Sequence, residues 1–131
     1  MCFVIKFKYL DQWNEKRRQN AAIYDKLFAG SDVKTPKIDE GNVCIYHQYT
    51  IAVPKRDDLH KFLADNKIGS AIFYPKPLHL QDCFSDLGYK EGDLPVTEKV
   101  CEEVLSLPIY PELTNEQLEY AAQTILKFYN S

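Results

Sequence analysis

All three histidines and three of the nine tyrosines of the 131-residue sequence lie in one stretch, residues 46–81. Two of them, His47 and Tyr49, alternate along a run rich in β-branched and aromatic residues, so they share one face if that run is a strand. Two more, Tyr74 and His79, lie in a segment punctuated by prolines, and rigid loops often carry function. Neutral imidazoles and phenols donate and accept hydrogen bonds, which suits the recognition of polar groups on a ligand.

Each of these residues also has a purely structural interpretation. In mid-strand, His47 can be a core histidine whose hydrogen bonds are satisfied by the protein, and packing is the favoured role for Tyr49. The loop position favours a functional role for Tyr74 and His79. By contrast, His60 falls within a predicted helix and is expected at the surface.

Two predicted strands flank the positions of interest. The first covers residues 43–53 and ends at Pro54, and the second covers residues 70–74. Pro75 and Pro77 prevent the second strand from continuing as a helix or an inner strand. The pattern therefore delivers Tyr74 and the loop after it to one end of a sheet.

A helix connects the two predicted strands. Asp57 or Asp58 can cap its start, and Asn66 near its end suits a left-handed cap. The apolar positions of this helix follow the i, i+3, i+4 spacing of one helix face, namely Leu59, Phe62 and Leu63.

The segment before this unit is predicted as one long helix and an edge strand. The helix covers residues 6–28 with one apolar stripe and ends at Gly30. Residues 1–5 add either a turn to this helix or a short strand, and the pattern does not decide between them. Pro36 gives the extended segment 33–38 an edge position.

The segment after the unit is predicted to contain three helices. Residues 81–87 form a short helix closed by Gly88. Pro95 begins a helix to Leu105, whose buried stripe is expected to consist of Val96, Val100 and Val104. Thr114 and Gln117 form a capping box for the last helix, whose apolar face is expected to comprise Leu118, Ala121 or Ala122, Ile125, and Phe128 or Tyr129.

These elements predict one α+β domain over residues 1–131, with a small antiparallel or mixed sheet of about three strands packed with helices. Apolar residues make up 45% and charged residues 27% of the chain, which is ordinary for a globular protein. No linker or repeat divides the sequence.

Composition also bears on partners and location. The net charge of −3 and the lack of a basic stripe argue against nucleic-acid binding. The basic run of residues 16–18 is predicted to be a solvated helix face. No apolar run reaches the roughly 20 residues that a membrane-spanning helix needs, so we expect no membrane association and a cytoplasmic protein. The cysteines have no metal-ligand spacing and are expected to be small apolar fillers or free thiols, namely Cys2, Cys44, Cys83 and Cys101.

Other catalytic signatures are weak. The Ser-x-x-Lys string at residues 31–34 is not at a predicted helix start, and no glycine-rich phosphate loop is present. The paired acidic residues 39–40 and 57–58 are more typical of turns and caps than of catalytic carboxylates.

Several motifs together resemble one protein family. The strings HQYTI, NKIGSAIFYPKPLHLQ, LGYKEGDLPVTEK and VLSLPIYPELT occur in the order and with the gaps of the C-terminal small domain of the DegT/DnrJ/EryC1/StrS aminotransferases. These enzymes depend on pyridoxal phosphate and act on nucleotide-linked sugars. The resemblance extends from about Lys6 to Phe128, and residues 1–5 look unlike the family.

The resemblance implies a fold like the small domain of fold-type I aminotransferases. It also implies that His47, Tyr49, Tyr74 and His79 face the substrate or the cleft between the domains. The cofactor-binding lysine belongs to the family's large domain, so we expect no catalytic residue in this chain and no pyridoxal phosphate bound to it alone. The expected partners are a nucleotide-linked sugar and either a large domain or a second copy of the chain.

Two hypotheses follow for function. In the first, the chain is the C-terminal domain of an aminotransferase that acts on keto-sugars of surface-polysaccharide or lipopolysaccharide synthesis, and it is inactive alone. In the second, the chain is an autonomous, non-catalytic binding or interaction module derived from such an enzyme. The second is motivated by residues 1–5, which replace the upstream sequence that the family would have.

Overall fold

The computed structural model describes residues 2–130 and has a two-stranded antiparallel sheet packed with helices. Strands β1 (Tyr49–Ala52) and β2 (Val104–Leu107) form the sheet. The helices are α1 (Cys2–Phe7), α2 (Leu10–Leu27), α3 (Arg56–Asp65), α4 (Pro95–Glu103) and α5 (Asn115–Tyr129). The prediction of an α+β architecture is thus confirmed.

The sheet is smaller than the sequence pattern indicated. The register pairs Tyr49 with Leu107 and Ala52 with Val104. Strand β1 occupies only the last part of predicted residues 43–53, because Tyr46 has a positive φ of 47° that takes the backbone out of the extended region. The predicted strand at residues 70–74 contributes a single bridge, in which Ala71 and Ser106 exchange both backbone hydrogen bonds.

The edge strand predicted at residues 33–38 is also reduced to one bridge, between Lys34 and Ala52. Pro36 follows this bridge and has no N–H to continue the pairing. The sheet therefore has two full strands, with single-residue pairings at Lys34 and Ala71 on its margins.

The long helix predicted over residues 6–28 is two helices in the structure. Helix α1 ends at Phe7 and α2 begins at Leu10, so the first part of the predicted stripe is exposed. In the second half of α2, Ala21 and Tyr24 are fully buried. The predicted end is confirmed, since Gly30 has a φ of 80° in the region that glycine adopts without strain.

Helix α3 buries the predicted face but has different ends. Lys55, with a left-handed backbone, stands at the N-cap, and Asp57 and Asp58 lie inside the first turn. Neither aspartate is therefore the cap, although both carboxylates suit the positive end of the helix dipole. At the other end the left-handed residue is Lys67, with a φ of 60°, and not the predicted Asn66.

Helix α4 begins at Pro95 as predicted, but it ends at Glu103, two residues before the predicted end. Val104 and Leu105 belong to β2 instead. The predicted buried stripe is wrong, because Val96 is 76% exposed and Val100 is 46% exposed. The apolar side of α4 faces outward in this chain.

Helix α5 matches its prediction closely. Thr114 and Gln117 form the reciprocal capping box, with hydrogen bonds of 3.0 and 3.3 Å. Its inner face contributes to the core, in which the buried residues of the sheet, α2, α3 and α5 meet, and that face comprises Leu118, Ala121, Ala122 and Ile125. Before α4, a 3₁₀ helix at Asp82–Leu87 replaces the predicted short helix and ends at Gly88 as expected.

Between residues 2 and 130, no helix combines the length and the apolar character that crossing a membrane requires. The same residues contain no group of three or more His, Cys, Asp or Glu side chains arranged to hold a metal ion.

Candidate functional site

The predicted loop residue His79 lies in a 3₁₀ turn, Leu78–Leu80, directly after Pro77. Its side chain is only 6% exposed, and its Nε2 lies 3.0 Å from Oε1 of Glu98 in the first turn of α4. The Tyr89 ring meets the imidazole edge-on, with the two ring centroids 6.0 Å apart. The loop that carries His79 is thus fixed to the start of α4.

The carboxylate of Glu98 also organises the turn before α4. The backbone N–H of Gly92 donates to both of its oxygens, at 3.0 and 2.9 Å, and the N–H of Leu94 donates to Oε1 at 3.2 Å. These donors, with the His79 ring, hold the pKa of the Glu98 carboxyl below its usual range, and the Gly92 hydrogen bonds contribute most. Glu98 is therefore an ionised acceptor at neutral pH.

The second ring nitrogen of His79, Nδ1, is buried and has no hydrogen-bond partner among the residues that the structure describes. Buried polar atoms in proteins are nearly always satisfied, so an unpaired one requires an explanation. Sequence reasoning singled out His79 but missed Glu98. The local signals for Glu98 were its place in the string LGYKEGDLPVTEK and an acidic residue in the first turn of a helix that follows the Gly92 turn.

Tyr74 lies on the surface of the same loop region. It is 68% exposed, and its ring meets that of the 44% exposed Phe73 edge-on. An exposed ion pair between Lys76 and Asp82, at 3.0 Å, links the two sides of the loop that follows. Tyr74 thus presents a phenol and an aromatic face to whatever approaches this surface.

His47 is exposed and lies on a bend before β1, not in mid-strand as predicted. It lines an open depression of about 360 Å³ together with Ser70, Phe73 and Ser106, among others. The depression joins the end of the sheet to the segment that leads to Tyr74. His47 is therefore placed where a ligand at this end of the sheet would be in reach.

Tyr49 lies in the core. It has no exposed surface, its ring lies 5.0 Å from that of Tyr24, and its hydroxyl donates a 2.6 Å hydrogen bond to Asp25. Burial, and then the contact with Asp25, raises the pKa of the Tyr49 phenol. The burial of Tyr49 indicates the packing role, which was one of its two interpretations. Tyr49 does not share a strand face with His47 as expected.

The structure therefore does not gather the four predicted residues into one cluster. His47 and Tyr74 are exposed near Phe73, His79 is buried beside Glu98, and Tyr49 is inside the core. His60, expected at the surface, is half-buried and lies 2.7 Å from the Ser70 hydroxyl.

The described residues do not fit pyridoxal phosphate. That cofactor needs a positioned lysine, a carboxylate for its ring nitrogen and a phosphate cradle. Every lysine in the described chain is exposed. One of them, Lys67, lines a depression of about 550 Å³, but the other residues that line it are neutral and include Tyr110 and Tyr120.

Comparison with known proteins identifies the family. The model of the DegT/DnrJ/EryC1/StrS aminotransferase family matches residues 1–126, and the chain therefore belongs to this family. The match includes residues 1–5, which we expected to fall outside it. The motivation for an autonomous module is weaker for that reason.

Two relatives and one solved structure illustrate the similarity. A Geobacillus stearothermophilus protein named as a pleiotropic regulatory protein is 49% identical, over 95% of this chain and 34% of its own length. An Acidithiobacillus ferrooxidans UDP-N-acetyl-3-dehydro-alpha-D-glucosamine 3-aminotransferase is 37% identical, over 92% and 32% respectively. The crystal structure of S. venezuelae DesV matches with a TM-score of 0.92 at 30% identity, over 97% of this chain and 34% of that one. The chain thus spans about a third of the length of these relatives.

Proposed function

We propose that this chain works as the C-terminal small domain of a nucleotide-sugar aminotransferase and shapes the sugar pocket, while another domain holds pyridoxal phosphate. The observation that carries this proposal is the family match over nearly the whole chain, at a third of the relatives' length. Relatives named for their activity aminate sugars linked to UDP or dTDP. An autonomous binding module is not favoured by these comparisons.

The chain's own residues would then bind and orient the sugar. The exposed phenol of Tyr74 suits a hydrogen bond to a sugar hydroxyl, and its face suits the apolar side of a sugar ring. His47 supplies an exposed imidazole on the adjoining depression. Transamination itself belongs to the domain that supplies the cofactor lysine.

The exposed apolar surface of α4 supports docking to that domain. Val96 and Val100 project outward, and large exposed apolar patches mark interaction surfaces. We propose that the cofactor-bearing domain covers this side of α4. We propose that the reaction takes place in the cytoplasm and that its product enters surface-polysaccharide or lipopolysaccharide synthesis.

The test joins this chain to the cofactor-bearing part of the Acidithiobacillus ferrooxidans relative, in place of that enzyme's own matching third. The purified fusion protein is incubated with ¹⁵N-glutamate and the keto-sugar nucleotide for which that relative is named. The ¹⁵N content of the product sugar is then measured by mass spectrometry. We expect label in the product with the fusion, and none with this chain alone or with the cofactor-bearing part alone. A folded fusion that transfers no label would contradict the proposal.

The site residues are tested in the same fusion. Tyr74→Phe and His47→Ala are expected to raise KM by roughly five- to tenfold, the loss of one hydrogen bond. A matched change away from the site, Tyr110→Phe, should leave KM within about twofold. Equal effects of the site changes and of this control would refute the assignment of the site.

A further inference from the structure

Glu98 has more hydrogen bonds than its place at a helix start requires. A single carboxylate oxygen bonded to the turn would satisfy the free N–H groups there. Instead, Oε1 accepts hydrogen bonds from the backbone N–H groups of Leu94 and Gly92 and bonds to the imidazole of His79, while Oε2 accepts only from the N–H of Gly92. The carboxylate thus joins the histidine loop, which is 19 residues away in sequence, to the first turn of α4.

This geometry decides which nitrogen of His79 carries the proton. An ionised carboxylate only accepts hydrogen bonds, so the Nε2 that faces Glu98 must be the N–H donor. Protonation of Nδ1 as well would bury a second donor without an acceptor, which is unfavourable. A neutral ring in this geometry carries hydrogen on Nε2 and a lone pair on Nδ1.

We propose that Glu98 is a positioning residue that holds His79 as the Nε2–H tautomer, so that Nδ1 accepts a hydrogen bond from a hydroxyl of the bound sugar. The inference rests on the proposed function and adds a residue that the sequence motifs did not single out. It explains why Nδ1 has no partner among the described residues of a loop that is otherwise tightly bonded.

The bond from Glu98 also fixes the ring plane. With Nε2 held at 3.0 Å and Tyr89 against the ring edge, the imidazole has one orientation, and the direction of the Nδ1 lone pair follows from it. A ring fixed before binding loses less conformational entropy when the ligand arrives. Nδ1 is buried, so a sugar hydroxyl reaches it only when neighbouring side chains move aside. Leu78, next to His79 in the chain, is 65% exposed.

The first test reads the tautomer on the 131-residue chain alone, by ¹⁵N NMR of the histidine rings. We expect the Nε2–H tautomer for His79 in the unaltered chain. In Glu98→Gln this tautomer should no longer predominate, because the glutamine amide can donate to Nε2. The amide signals of Gly92 and Leu94 report whether the turn survives the change, and His60, bonded to Ser70, is the internal control. An Nδ1–H form of His79 in the unaltered chain would overturn the inference.

The second test measures the role in binding, in the fusion described above. Glu98→Gln should raise KM by roughly five- to tenfold with little change in kcat, because a bond present in both ground and transition states contributes to binding alone. His79→Ala should have the same effect, and the double change should add little to it.

A substrate analogue without the bonded hydroxyl separates positioning from simple folding damage. Deoxy analogues of the keto-sugar nucleotide are compared in turn, and for one of them the unaltered fusion and Glu98→Gln should differ by less than about twofold. An effect of Glu98→Gln that is equal for every analogue would mean a structural role and would overturn the inference. Failure of the unaltered fusion to transfer label would instead remove the proposed function, while the NMR result stands on its own.

Discussion

The hydrogen bond from Tyr49 to Asp25 offers the sharpest test of the core. Tyr49→Phe keeps the ring, and with it the packing against Tyr24, and removes only the hydroxyl that donates at 2.6 Å. A hydrogen bond to a charged group contributes about 1.5–3 kcal/mol. Because Asp25 is half-buried and regains water when the hydroxyl is lost, we expect the lower end, about 1.5 kcal/mol.

The assay is urea unfolding at neutral pH, followed by circular dichroism. Tyr110→Phe, at a position that is 42% exposed, is the matched control and should change the unfolding free energy by less than about 0.5 kcal/mol. Combining Tyr49→Phe with Asp25→Asn in a double-mutant cycle isolates the coupling between the two side chains. A Tyr49→Phe variant as stable as the control would refute the account of Tyr49 as a bonded core residue.

Three further predictions concern pH and surface. Burial raises the pKa of Tyr24, Tyr49 and Tyr129, the last to about 12, so above about pH 10 these three phenols ionise more readily in the unfolded chain than in the folded one. The unfolding free energy should therefore fall as pH rises above about 10, which urea unfolding across that range measures. The Glu98 pKa is lowered, so the ionised carboxylate stabilises the fold at neutral pH and this stabilisation is lost as pH falls below about 4.3. Glu98→Gln should therefore be less stable than the unaltered chain at neutral pH, and the difference in unfolding free energy should shrink when both proteins are unfolded at acid pH. Val96→Asp should leave unfolding within about 0.5 kcal/mol yet weaken docking of the cofactor-bearing domain, measured by calorimetry.

Local signals predicted the helices better than the sheet. The capping box at Thr114 depends on two residues only three positions apart in the sequence, and it forms as expected. The run at residues 70–74 has strand composition, but only Ala71 finds a partner. Strand pairing depends on Ser106, far away in sequence, and composition alone does not specify that contact.

The apolar stripe of α4 shows a second limit of pattern reasoning. Spacing predicts that Val96 and Val100 share one face, which they do, but not what covers that face. In this chain the face is exposed, and a stripe of the same period serves a core or an interface equally well.

The candidate site was only partly predictable, because local patterns do not show which distant residues meet in the fold. Residue type and proline context singled out Tyr74 and His79 within one loop. The partner of His79 lies in another element, so Glu98 emerged only from the fold. The positive φ of Tyr46 separated His47 from the face of Tyr49, which strand alternation had joined.

We propose that this chain completes a sugar aminotransferase by supplying the side of the pocket that the cofactor-bearing domain lacks. The most direct measurement is transfer of ¹⁵N from glutamate to the keto-sugar nucleotide by the fusion of this chain with the cofactor-bearing part of its Acidithiobacillus ferrooxidans relative. We predict labelled amino sugar from the fusion and none from either part alone. A folded, cofactor-loaded fusion that forms no labelled product, or labelled product from this chain alone, would contradict the claim.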